Sequence, residues 1–112
     1  MAKYSDEMIA YVLQRLDGLD VLEFIDYHPE TIQRTGDEIS SWCPLCQDRT
    51  GRYLRIDLNS RLFESNPPNG PEQRGNLIDL FARARRMPYE EAIETLADEF
   101  SIPLLEGNFK EQ

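Results

Sequence analysis

Apolar side chains recur at helical spacing near the start of the chain, where Met8, Ile9, Val12, Leu13 and Leu16 share one face. Ser5, a residue type that caps helices, precedes them, and Gly18 stands near the end of the predicted first helix. A second helical stretch, about Asp20 to Tyr27, carries Val21, Leu22, Phe24 and Ile25 until Pro29 interrupts it. The period then shortens. Thr35-Gly36-Asp37-Glu38 reads as a turn between strands at roughly Thr31 to Arg34 and Ile39 to Trp42. From Tyr53 to Leu58 the pattern alternates, with Tyr53, Arg55 and Asp57 on one face and Leu54, Ile56 and Leu58 on the other. Asn59-Ser60 can turn this strand into a partner from Arg61 to about Ser65, giving a small antiparallel meander. The proline-rich run Asn66 to Pro71 cannot continue a ladder, because proline has no N–H to donate, and is expected to be an exposed loop.

Helical spacing returns at Asn76, with Leu77, Ile78, Leu80, Phe81 and Ala84 inward and Arg83, Arg85 and Arg86 near the C-terminal end, where cations suit the helix dipole. Pro88 fits a first helical position, and Glu90 and Glu91 fit the first turn of a last helix whose buried stripe is Ala92, Ile93, Leu96, Ala97 and Phe100. Pro103 closes it. The pattern predicts an α+β fold: a small antiparallel, ribbon-like sheet flanked by helices at both ends. One domain over residues 1 to 105 and a mobile tail over 106 to 112 are expected.

With 112 residues and 40% hydrophobic content, the chain is long enough for a modest core, and it lacks the roughly 20-residue apolar run of a membrane span. Asp6 and Glu7 stand where a secretory leader would be basic, so a soluble, cytoplasmic protein is expected. The net charge of -9 weighs against non-specific binding to a phosphate backbone. Its distribution is uneven. Residues 1 to 33 carry two basic and seven acidic side chains and residues 76 to 112 carry four and eight, leaving residues 34 to 75 balanced at six and six. All the bases in that middle segment are arginines: Arg34, Arg49, Arg52, Arg55, Arg61 and Arg74. Arginine's planar fork suits phosphate recognition, and equally suits pairing with nearby carboxylates.

The candidate chemistry is concentrated in Trp42-Cys43-Pro44-Leu45-Cys46, which holds the two cysteines of the chain at metal-knuckle spacing. In a reducing compartment such a pair is metal-binding or redox-active more often than a structural disulfide. A thioredoxin-like role would need the pair to open a helix in a βαβ setting, which the pattern does not provide. A structural zinc needs about four ligands, usually two such pairs, and no second pair follows.

Taken in order, the pieces resemble the N-terminal zinc-binding domain of bacterial replicative primases of the DnaG type. The correspondence runs through Phe24-Ile25-Asp26, the hairpin at Thr35-Gly36, the knuckle Cys43-Pro44-Leu45-Cys46 with Arg49-Thr50 and Tyr53 after it, the helix start Gly75-Asn76-Leu77-Ile78-Asp79-Leu80, and Tyr89, Glu91-Ala92 and Leu96-Ala97 at the end. The departure is equally specific. By spacing from the strand at Arg61 to Phe63, the second pair of cysteines expected from the resemblance falls on Ser65 and Pro68. His28 lies far from the knuckle, and Glu64, Asp48 and Glu72 are oxygen donors of a kind rare in structural zinc sites. The expectation is a degenerate metal site: Cys43 and Cys46 remain, zinc cannot be fully ligated within one chain, and the more natural state is metal-free. Two chains contributing two cysteines each to one shared zinc would be the dimeric alternative. Without metal, on the order of 10 kcal/mol of coupled binding energy must be offset. The apolar candidates are Trp42, Leu45, Leu62, Phe63, Leu77, Leu80 and Phe81.

The resemblance implies a binding module that engages single-stranded template during DNA replication while another domain joins nucleotides. The residues expected to contact nucleic acid are Arg49, Arg52, Tyr53, Arg55 and Arg61, with Tyr53 stacking on bases or, equally, packing as an ordinary strand aromatic. The acidic flanks favour a different reading, a metal-free module docking on replication or mobile-element proteins. No catalysis is expected from the chain alone, since it has neither a phosphate-cradling glycine loop nor a clustered acidic set for Mg²⁺.

Overall fold

In a computed structural model that describes residues 4–25, 31–45, 51, 53–68 and 70–104, the Ser5 hydroxyl accepts a hydrogen bond from the Met8 N–H at 3.1 Å and starts helix α1, Asp6–Gln14. Gly18 opens a second helix rather than sitting at the end of the first. Asp17 Oδ1 accepts the N–H groups of Leu19 and Asp20, and α2 runs Gly18–Ile25. Asp and Asn side chains compete for free N–H groups in this way, so a helix restarts after only a short break.

Five strands follow: β1 Gln33–Thr35, β2 Glu38–Ser41, β3 Leu54–Asp57, β4 Leu62–Ser65 and β5 Gln73–Asn76. They pair in chain order, every neighbour antiparallel. The pattern predicts the first four and misses β5, whose Gln-Arg-Gly-Asn sequence has neither β-branched residues nor apolar alternation. What holds β5 is position. It pairs with β4 from Leu62↔Asn76 to Ser65↔Gln73 and leads straight into α3, Leu77–Arg85.

The junction is a capping box. Asn76 Oδ1 accepts from the Asp79 N–H, and Asp79 Oδ2 accepts from the Asn76 N–H, each at 2.9 Å. Gly75 permits it: a Cβ there would come within 2.7 Å of Asp79 Oδ2. After α3, Pro88 is the N-cap of α4, Tyr89–Glu99, one position earlier than expected and without a side-chain cap.

The sheet is two-faced. Ile39, Ile56 and Phe63 are register partners on the inner face and are buried with Leu54 beneath the helices. Helix α3 lies against β4 and β5, with α2 and α4 beside it. Phe24 stacks on Phe81 with ring centroids 5.4 Å apart and meets Phe100 edge-on at 5.8 Å. Arg85 caps this group, its guanidinium near both Phe24 and Phe81 and donating to the Phe24 carbonyl. The first and last helices are tied by Tyr4, whose hydroxyl donates to Glu94. The described residues thus form an α+β unit with four helices, two before the sheet and two after. No helix among them is long and apolar enough to cross a membrane.

Of the apolar residues expected to substitute for metal, Phe63, Leu77, Leu80 and Phe81 are buried, at about 2 to 3 kcal/mol each. Trp42 and Leu45 are half-buried. Leu62 is not in this group: it is 53% exposed, because alternation along β4 turns it to the outer face.

Candidate functional site

Cys43 lies two residues beyond the end of β2 and is fully buried, and Ser65 ends β4 and is equally buried. The intervening β3 brings them together: Ser41 pairs with Leu54, and Leu54 with Ser65. The Cys43 Sγ and Ser65 Oγ share a hydrogen bond at 2.9 Å, and the Leu45 N–H donates to the same sulfur at 3.4 Å. Ser65, one of the two positions where the resemblance implies a second cysteine pair, therefore lies directly against Cys43.

Among the described residues, the groups against the Cys43 sulfur include a hydroxyl and a backbone N–H, and a neutral hydroxyl is a weak zinc ligand. Pro68 is exposed and has no donor atom to offer. Glu64 lies on the outer face, taking a hydrogen bond from Asn66, and Glu72 pairs with Arg74. Among the described residues no three metal-ligating side chains converge. Cys46, His28 and Asp48 lie outside the described residues, as do Arg49 and Arg52.

The remaining expected contacts separate. Arg55 is exposed on the outer face of β3. Tyr53 precedes that strand and is half-buried, its ring lying against Gly51, where a Cβ would meet ring Cζ at 2.6 Å. Arg61 is elsewhere. It sits in the β3–β4 turn with φ 62°, and its guanidinium donates to the carbonyls of Leu16 at 2.9 Å and Asn59 at 3.1 Å. It ties the turn to the end of α1.

The outer face supplies a different arginine in its place. Arg55, Glu64 and Arg74 lie side by side across β3, β4 and β5, so Arg55 and Arg74 flank one carboxylate. Two strand spacings separate them, about 10 Å. Arg74 also pairs with Glu72 across an exposed surface, a contact worth little. Arg83 reaches from α3 to the Arg74 carbonyl at 3.1 Å and closes the edge of β5. In the sequence Arg74 is one of six arginines balanced by six carboxylates over residues 34 to 75, and nothing there singles it out, because β5 lacks a strand pattern.

A shallow depression of about 560 Å³ covers this face, lined by Glu38, Arg55, Asp57, Leu62, Glu64 and Arg74 among others. Asp57 is held ionised by its own turn. Its Oδ1 accepts the N–H groups of Ser60 at 3.0 Å and Asn59 at 2.8 Å, which lower its pKa below the ordinary 3.8. At the β5–α3 junction, burial raises the Tyr89 pKa, opposed by a hydrogen bond from Asn76 and helped by the Asp79 charge.

A scan against protein-family models matches none of them, and a search of curated proteins finds no relative.

Proposed function

We propose that this chain is a primase-type ribbon module with a degenerate metal site, which binds single-stranded DNA and does not itself catalyse. The observation that carries this reading is the Cys43–Ser65 contact. The resemblance puts one of a second cysteine pair at Ser65, and the contact of Ser65 with Cys43 supports that reading. Binding is assigned to the outer sheet face, where Arg55 and Arg74 present cations to a strand. Labelled single-stranded oligonucleotide, titrated at rising ionic strength, tests it. Affinity should fall steeply with salt, and Arg55→Ala or Arg74→Ala should flatten the slope by roughly one counterion each. Absence of binding at low salt would defeat the nucleic-acid reading.

A second reading, docking on a protein, is favoured by a specific observation. The same depression contains Glu38, Asp57 and Glu64 beside the exposed Leu62, a lining that suits a protein surface better than a polyanion.

A further inference from the structure

The outer face of the sheet is divided along its strands. Arg55 and Arg74 occupy one cross-strand row. The adjacent row, nearer the β1–β2 and β3–β4 turns, is Glu38, Asp57, Leu62 and Asn76. Glu38 and Asp57 are direct register partners with both side chains exposed. Like charges directly opposite each other on a sheet repel. Neither carboxylate has a cationic partner among the described residues. The hydrogen bonds from Ser60 and Asn59 keep Asp57 charged, so the repulsion is not relieved by protonation near neutral pH.

Next in the row stands Leu62, the one large apolar side chain exposed among the described residues. An isolated exposed leucine is ordinary. This one lies in a concave face beside two unneutralised carboxylates, and that combination restricts what could cover it. A nucleic-acid backbone would add negative charge to Glu38 and Asp57. A second copy of a chain with net charge -9 would do the same. A segment carrying cations on either side of an apolar residue would neutralise the carboxylates and cover the leucine together.

We infer that the Glu38–Asp57–Leu62 row is a docking surface for an extended basic segment of a partner protein, with an apolar side chain seated on Leu62 and lysine or arginine heads on the carboxylates. This rests on the second reading above and gives that partner a chemistry.

The test uses the full chain and labelled probes at about 150 mM salt, where weak surface attraction is screened. The probes are a peptide alternating lysine and leucine, an oligolysine of equal charge, a peptide alternating glutamate and leucine, and a single-stranded oligonucleotide. The lysine–leucine peptide should bind saturably and more tightly than oligolysine, weakened about fivefold or more by Leu62→Thr and by Glu38→Lys. Amide chemical-shift changes in the unsubstituted protein should centre on Glu38, Asp57 and Leu62, which keeps the test decisive if a variant folds poorly. Equal binding of oligolysine, or insensitivity to Leu62→Thr, would overturn the inference. Selective binding of the glutamate–leucine peptide would overturn it while leaving a protein-docking role intact. Binding of the oligonucleotide alone, with shifts on this row, would remove both.

Discussion

The Cys43 Sγ lies 2.9 Å from the Ser65 Oγ, with both side chains sealed from solvent at the end of the sheet. A buried polar pair of this kind is most costly when one partner is removed and the other stays. Ser65→Ala should therefore destabilise the fold by about 1 kcal/mol. Urea unfolding at fixed pH measures it, and an unchanged midpoint would show that the contact holds nothing.

Arg61 and Arg55 should behave oppositely on substitution. Arg61→Ala removes the donors to the Leu16 and Asn59 carbonyls and should lower stability by about 1 kcal/mol without altering the salt dependence of oligonucleotide binding. Arg55→Ala touches only an exposed face and should do the reverse. Thermal melts and salt titrations on the two variants separate these outcomes.

The strand-to-helix junction depends on a residue without a side chain. Gly75→Ala drives a Cβ into the Asp79 carboxylate and should disrupt the capping box, at a cost of about 1 to 2 kcal/mol. Asp79→Ala removes one arm of the box and should cost less than Gly75→Ala if the steric clash adds to the lost cap. Denaturant midpoints for both give the comparison.

Two titrations bracket the pH range of stability. The folded Asp57 pKa lies below 3.8, so its contribution is complete above that value and is lost as pH falls through the folded pKa. The melting-temperature gap between the unsubstituted protein and Asp57→Asn should be larger near neutral pH than in strong acid. Tyr89 has the opposite sign. Its folded pKa lies above 10.0, so its contribution is complete below 10.0 and is lost as pH rises through the folded value. Tyr89→Phe should remove that part of the alkaline destabilisation.

Much of this architecture is legible in the pattern of apolar positions. The Ser5 cap, the β3 alternation and the α3 and α4 stripes all follow from periodicity, because in each case one face is buried and the other wet. The fifth strand was not legible, since Gln73 to Asn76 is held by register with β4 and by its junction with α3 rather than by its own propensity. That omission hid the pairing of Arg74 with Arg55 across Glu64. Leu62 was misplaced for a related reason: an apolar residue on a four-residue strand is assigned inward until its neighbours' faces are known. Arg61 looked like a phosphate ligand by type, and only the tertiary approach of Leu16 commits it to backbone carbonyls. The contact of Ser65 with Cys43 is not legible in the sequence, because it depends on the register of β2, β3 and β4.

The most direct test of the proposal that this sheet is held by packing and by the Cys43–Ser65 contact rather than by metal is metal content alongside thermal melting, both measured on untagged protein purified without chelator. The account predicts far less than stoichiometric zinc and a melting curve unmoved by a strong chelator. Stoichiometric zinc whose removal unfolds the chain would contradict it.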